Sequence, residues 1–291
     1  MKKLSIVLVL SLLLLNCFAV AADYDTKKIQ AIKGTPVIDG EMDEIWQGAN
    51  VMEANLVNQT LIPSETKTTG KAWTMWDENY FYILAEVYKS AVYPEGGEAE
   101  NVDSVEYGID FLNTKGSNNV APGGDDTAGV FRIGTNDSQI SGFGGAFDAV
   151  QDKIVGKCVT TDFGYRAELA IPWVGIAPAE GKVISMEVQI NVNDNGTGRD
   201  GLVTWNSDEC LGWRDSESHG EVTLAAAPVV AEPETEPPAP ATEEPAAAVE
   251  PPAETPPPPV APVTGDFAAI FALMLLACAA AAYTVLRKIK N

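Results

Sequence analysis

The side chains best suited to recognition in this chain are amides, guanidiniums and a carboxylate carried on segments that alternate polar and apolar residues. Gln189 and Asn191 are two positions apart, so an extended strand sets them on one face. A side-chain amide donates and accepts at once. Glu106 and Arg132 stand on other such segments, Arg199 follows soon after Asn191, and Trp205 and Trp213 lie just beyond. An indole plate with amides, a carboxylate and guanidinium forks is what a pyranose ring needs. Its C–H face packs on the indole and its hydroxyls take paired hydrogen bonds.

The elements that must position these groups are strands. Lys71 to Asp77 and Tyr80 to Tyr88 flank Asp77-Glu78-Asn79 and predict a β-hairpin. Asp103 to Phe111 alternates, with Val105, Tyr107, Ile109 and Phe111 on one face and Ser104, Glu106, Gly108 and Asp110 on the other. Tyr165, Ala167, Leu169 and Ile171 repeat the pattern. From Ile184 to Asn193 the even positions are apolar and the odd ones polar, which predicts an inward face and a solvated one. Many such strands without helical stretches imply an all-β fold, an antiparallel β-sandwich of jelly-roll-like form. A short helical turn is expected within Glu41 to Ala49. Trp46, Trp76 and Trp173 sit in apolar runs and read as packing residues, and the single histidine, His219, reads as structural.

The ends set the compartment. Residues 1–22 have a Lys2-Lys3 start, an apolar run from Leu4 to Leu15 and small residues at Ala19 to Ala22, the pattern of a secretory signal. Cys17 after Asn16 offers a lipoprotein alternative. Residues 226–265 hold 13 of the 19 prolines, seven glutamates and no lysine or arginine, so they predict a disordered Pro/Glu-rich linker, physically a stalk. Residues 266–286 predict one transmembrane helix, and the basic tail 287–291 predicts a cytoplasmic C-terminus. The domain between is 23–225. Five of the 19 bases lie at the two ends, leaving 14 bases against 41 acids between them, which makes nucleic acid an unsuitable partner. Outside the two terminal apolar runs only Cys158 and Cys210 remain, and they read equally as a bridge or as two free thiols.

Pro36-Val37-Ile38-Asp39-Gly40-Glu41-Met42-Asp43-Glu44-Ile45-Trp46 resembles the opening signature of the family 9 carbohydrate-binding modules. Trp76-Asp77-Glu78-Asn79-Tyr80-Phe81-Tyr82, Asp103-Ser104-Val105-Glu106, Asp125-Asp126 with Phe131-Arg132, Gly164 to Trp173 and Val188-Gln189-Ile190-Asn191 follow in that family's order. Trp205, Trp213-Arg214-Asp215 and Gly220-Glu221-Val222 close the set. The resemblance implies a sandwich that binds sugars without cleaving them, of the kind appended to enzymes that degrade xylan or cellulose. It implies Trp213 as one of two tryptophans clamping a terminal sugar, with Glu106, Arg132, Gln189 and Arg199 on the hydroxyls. The second tryptophan's position holds Glu100, with Tyr93 nearby as a substitute, and a family asparagine is replaced by Cys210. The resemblance also implies structural calcium, for which Asp39, Glu41, Asp125 and Asp126 are the oxygen ligands on offer; Lys89 stands where the family commonly has an acid. No other cofactor is required. Ala261-Pro262-Val263-Thr264-Gly265 is similar to the sortase sorting signal of wall-linked proteins, with alanine in place of leucine.

The expected function is therefore non-catalytic binding of a polysaccharide or oligosaccharide, of the xylan or cellulose type, by an exported module held at the cell surface through its helix or the cell wall. Two alternatives stand beside it. One is a surface-layer or adhesin module that has lost its sugar site. The other is a haem-binding relative, for which His219 and Met186 are the axial candidates. A hydrolase would need paired carboxylates in a cleft, and no motif marks such a pair.

Overall fold

The computed structural model describes residues 26–95 and 97–227. Segment 1–22, nearly all of 226–265, and segments 266–286 and 287–291 lie outside the described residues. Among the described residues no helix is long and apolar enough to cross a membrane.

Thirteen strands form one hydrogen-bonded sheet, ten of them on a single continuous path, which folds into a nearly closed, barrel-like sandwich. The first half runs β8 (Ile140–Phe143), β7 (Ala128–Gly134), β6 (Ser104–Asp110), β11 (Val183–Val192) and β13 (Gly220–Leu224) to β1 (Lys28–Lys33). The second half continues from β1 through β4 (Thr69–Trp76), β5 (Tyr80–Tyr88) and β10 (Gly164–Pro172) to β9 (Val155–Thr161). Off this path, β2 (Val51–Ala54) flanks β4, β12 (Gly201–Thr204) flanks the end of β11, and β3 (Leu56–Val57) pairs β12.

The expected all-antiparallel arrangement needs one correction. β1 is parallel to β13 over Lys28–Ala31 and parallel to β4 over Ile32–Lys33. A parallel neighbour requires a long connection. β1 has one on each side: the whole domain separates it from β13, and the segment containing β2 and β3 separates it from β4. By changing partners at Ile32, β1 joins the two halves, so the sheet is mixed.

The predicted hairpin forms as β4 and β5. The Asp77 carboxylate closes it by accepting the amides of Asn79 and Tyr80 and the Tyr82 and Thr35 hydroxyls. Burial raises the Asp77 pKa, but these donors outweigh it and hold the group below the usual carboxylate range. The predicted helical turn is a 3₁₀ turn at Glu44–Gly48. One helix was not foreseen: α1 (Gly145–Val150), a single short turn and a half whose Phe147 packs over Gly142. A Cβ at Gly142 would lie 2.6 Å from the Phe147 ring, so the glycine makes room for it.

Alternation places the core as expected. Val105, Tyr107 and Ile109 of β6 and Ile184, Met186, Val188 and Ile190 of β11 meet Phe81, Ile83, Ala85 and Val87 of β5 and Tyr165, Ala167 and Leu169 of β10. Each fully buried aliphatic side chain contributes roughly 1.5–3 kcal/mol. The other faces are not solvated as the sequence suggests. Ser185, Glu187, Gln189 and Asn191 of β11 are at most 5% exposed, because loops fold back over the polar face.

Candidate binding cavity

Register builds the site. Gln189 on β11 is opposite Glu106 on β6, Glu106 opposite Arg132 on β7, and Arg132 opposite Ser141 on β8. Four side chains from four neighbouring strands thus form one row across the outer face. The Glu106 carboxylate accepts from Arg132 Nε at 2.8 Å and Nη2 at 2.6 Å, and from Gln189 Nε2 at 3.3 Å. Arg132 Nη1 donates to Glu100 at 3.1 Å and to the Ser141 hydroxyl at 3.3 Å. The guanidinium fork is therefore fixed by two carboxylates and a hydroxyl before any ligand arrives.

One layer down, Asn191 is fully buried and does not line the cavity. Its Nδ2 donates to Ser104 Oγ, and its Oδ1 accepts from Gln189 Nε2 at 3.1 Å and Arg199 Nη1 at 3.0 Å. It was expected among the ligand contacts. Its hydrogen bonds hold Gln189 and Arg199, which do line the cavity.

The loop after β12 lies on the neighbouring row and carries the aromatic. A Cβ on Gly108 would be 2.2 Å from the Gly212 carbonyl oxygen, so only glycine lets this loop touch the sheet. Glu187 collects the backbone amides of Val188, Trp205, Asn206 and Ser207. Burial pushes its carboxyl up to about 7 against those donors. His219, also fully buried, is pinned with Nε2 2.8 Å from the Gly212 oxygen, and burial pushes its pKa down to about 4. Neutral His219 thus donates from Nε2 and ties down the residue preceding Trp213. Trp213 emerges at the end of this loop, 37% exposed.

Trp213, Glu106, Arg132, Gln189 and Arg199 all line one cavity of about 550 Å³. Five of the six residues singled out for recognition are therefore brought together. Trp205 is not: it is buried in the core, with its ring against Gly220. Glu98 and Glu100 line the same cavity, so a carboxylate occupies the place of a second tryptophan. Tyr93 does not replace that ring; it lines a neighbouring cavity, held there by its amide on Asp103. Sequence reasoning missed Leu61, Ile62, Phe143 and Leu202, the apolar part of the lining. The signal was available in Leu61-Ile62, an apolar pair in a polar loop. Asn58 Oδ1 accepts the amides of Thr60, Leu61 and Ile62, which leaves Leu61 half-exposed at the rim.

The calcium ligands named from the sequence do not assemble. Asp39 Oδ1 accepts the Glu41 amide, and the Glu41 carboxylate is 3.0 Å from Arg166. Asp125 has the Thr114 hydroxyl at 3.4 Å. Among the described residues no group of three or more Asp, Glu, His or Cys side chains could hold a metal ion. A calcium ion takes six to eight oxygens, backbone carbonyls among them, so these four carboxylates do not by themselves make up a site. Cys158 and Cys210 are both free thiols, so the open question of a bridge is answered. Cys210 is fully buried at φ +55°, a left-handed conformation that asparagine adopts more readily than cysteine.

The family described as "Carbohydrate family 9 binding domain-like" matches residues 38–227. The chain is 32% identical over 198 residues to "Endo-1,4-beta-xylanase A" of Thermoanaerobacterium saccharolyticum, covering 68% of this chain and 16% of that protein. It is 33% identical over 198 residues to "Exoglucanase XynX" of Acetivibrio thermocellus, covering 68% of this chain and 17% of that one. The match thus spans less than a fifth of each relative. Among solved structures, a family 9 carbohydrate binding module of Caldicellulosiruptor kristjanssonii in complex with cellotriose superposes with a TM-score of 0.61 at 25% identity, covering 72% of this chain and 100% of that one. The same organism's module in complex with glucose superposes with a TM-score of 0.60 at 25% identity, covering 71% of this chain and 100% of that one. With the residue row, the exposed indole and these matches together, the chain belongs to the family 9 carbohydrate-binding modules.

Proposed function

We propose that this chain binds β-linked plant cell-wall polysaccharide of the xylan or cellulose type, or its oligosaccharide ends, without cleaving it, and does so while held at the cell surface. One observation carries the binding reading: Gln189, Glu106 and Arg132 stand in register across three strands and share a cavity with exposed Trp213. An indole face stacks on a sugar ring, and the row supplies paired donors and acceptors for its hydroxyls. The surface reading rests on the sequence alone, on the signal pattern at 1–22, the stalk at 226–265, the apolar stretch at 266–286 and the Ala261 to Gly265 resemblance to a sorting signal. The module would serve carbohydrate catabolism by concentrating substrate for enzymes on other chains.

Of the two axial candidates for haem, Met186 packs in the core and His219 Nε2 is engaged by the Gly212 oxygen. Isothermal titration of the purified chain with cello- and xylo-oligosaccharides tests the binding reading. Saturable heat with at least one series supports it. Absence of binding to both leaves the surface-layer reading in its place. Separation of envelope fractions, with and without residues 266–291, tests anchoring.

A further inference from the structure

Three of the loops that wall the Trp213 cavity also wall a second one. The loop after β3 gives Ile62 to the first and Ser64 to the second. The loop after β5 gives Glu98 and Glu100 to the first and Tyr93 to the second. The loop after β11 gives Arg199 to the first and Asp200, its chain neighbour, to the second. Arg199 and Asp200 are chain neighbours, so the two cavities meet on either side of this one loop. The second cavity measures about 530 Å³.

Its contents overlap those of the first: an aromatic ring, carboxylates and hydroxyls, with Lys67 and Lys89 in place of the guanidiniums and Lys89 Nζ 5.9 Å from the Tyr93 ring centre. The Tyr93 ring packs on Gly196, where a Cβ would lie 3.1 Å from it. Asp194, Asp200 and Ser64 supply acceptors around it. Fully buried Asp103 ties together the segments beside this cavity. Its carboxylate accepts from Lys89 Nζ at 2.5 Å, the Tyr93 amide at 2.8 Å and the Asn193 amide at 3.0 Å. That fastens the end of β5, the Tyr93 loop and the end of β11 to one point, which reduces the ordering cost of binding.

We infer that a bound glycan chain crosses the Arg199–Asp200 loop and places its following sugar units in the second cavity, on Tyr93. This rests on the carbohydrate-binding reading of the Trp213 cavity. A module with one cavity binds a disaccharide and a hexasaccharide alike; a module with two gains affinity with length.

The test is titration of the full chain with cello- and xylo-oligosaccharides from two to six units. The expected result is an affinity for the hexasaccharide roughly tenfold above that for the disaccharide, the scale of one added aromatic contact. Tyr93→Ala should remove that gain and leave the disaccharide unchanged. Ala91→Arg, at an exposed position on the second cavity, should do the same by filling it without deleting a contact. Equal affinity at all lengths overturns the inference while the Trp213 site stands. So does a Tyr93→Ala loss that is the same for the disaccharide and the hexasaccharide. Absence of disaccharide and hexasaccharide binding alike overturns the reading of the Trp213 site, and this inference with it.

Discussion

The two outer faces of the sandwich are built from the same parts and end in opposite states. On the β4–β5–β10 face, Glu168 accepts from Asp39 and Gly40 amides at 3.0 and 2.7 Å and from Trp46 Nε1 at 3.1 Å. Arg166 there pairs with Glu86 and Glu41. Trp46 is fully buried against Trp73, Met75, Tyr82 and Leu84. On the β6–β7–β11 face, Glu106 is gripped by Arg132, Arg132 also reaches Glu100, and the loop tryptophan, Trp213, stays over one-third exposed. Both faces have a tryptophan, a buried glutamate and an arginine with two carboxylates. The difference lies in the companions. Apolar neighbours let the Trp46 segment seat as a lid, whereas Trp213 shares its cavity with the polar row of Gln189, Glu106 and Arg132 as well as with Leu61, Ile62, Phe143 and Leu202. A recognition site on a sheet is, in this fold, a face whose polar row keeps its covering loop at the edge.

The largest effect should come from exchanging the fates of the two tryptophans. Trp46→Ala removes a fully buried ring and one of the Glu168 donors, and should cost about 3–5 kcal/mol of stability in denaturant unfolding. Trp213→Ala should leave the unfolding midpoint nearly unchanged and weaken oligosaccharide binding roughly 30-fold or more. Should Trp213→Ala unfold the domain, or bind as before, the two faces are not the contrast described above.

The sequence made one half of this contrast legible. Alternation in β6 and β11 placed the core face correctly and identified Gln189 and Glu106 as facing the other way. Residue type and position singled out Arg132, Arg199 and Trp213, and the family resemblance gave them roles. What alternation does not encode is register between strands distant in sequence: that Gln189, Glu106, Arg132 and Ser141 fall in one line depends on three pairings. Nor does it encode what lies above a strand. Glu187 and Gln189 look equivalent in the sequence, yet one is buried under the Trp205 to Ser207 turn and the other lines the cavity. Tyr93 shows the same limit in a loop. Its nearness to Glu100 in sequence suggested a shared pocket, and the hydrogen bond to Asp103 sends it to the next one.

A smaller effect should follow from removing charge from each glutamate. Glu106→Gln leaves the Arg132 guanidinium with only Glu100 as a charged partner in the cavity, so affinity should fall about tenfold, with a stability loss of about 1–3 kcal/mol. Glu168→Gln keeps an acceptor for the Trp46 indole and should leave binding untouched. Titration and urea unfolding of both variants check this; equal binding losses would mean that the faces communicate.

The smallest effect is a pH slope. Burial raises Glu168 to about 7 despite its three N–H donors, and raises Glu187 likewise to about 7. A carboxyl whose folded pKa exceeds its unfolded value holds more protons when folded, so its contribution is complete below about 4.5 and is lost as pH rises through about 7. His219 works the other way. With its pKa pushed down to about 4, it favours unfolding as pH falls below about 6.5 and is silent above that. Above about pH 6.5 the two carboxyls therefore act without it, and the melting temperature should decline from there to pH 8. Glu168→Gln should make that decline shallower. A melting temperature that climbs over this range, or a Glu168→Gln slope identical to the parent's, would mean that the lidded face holds its acid charged.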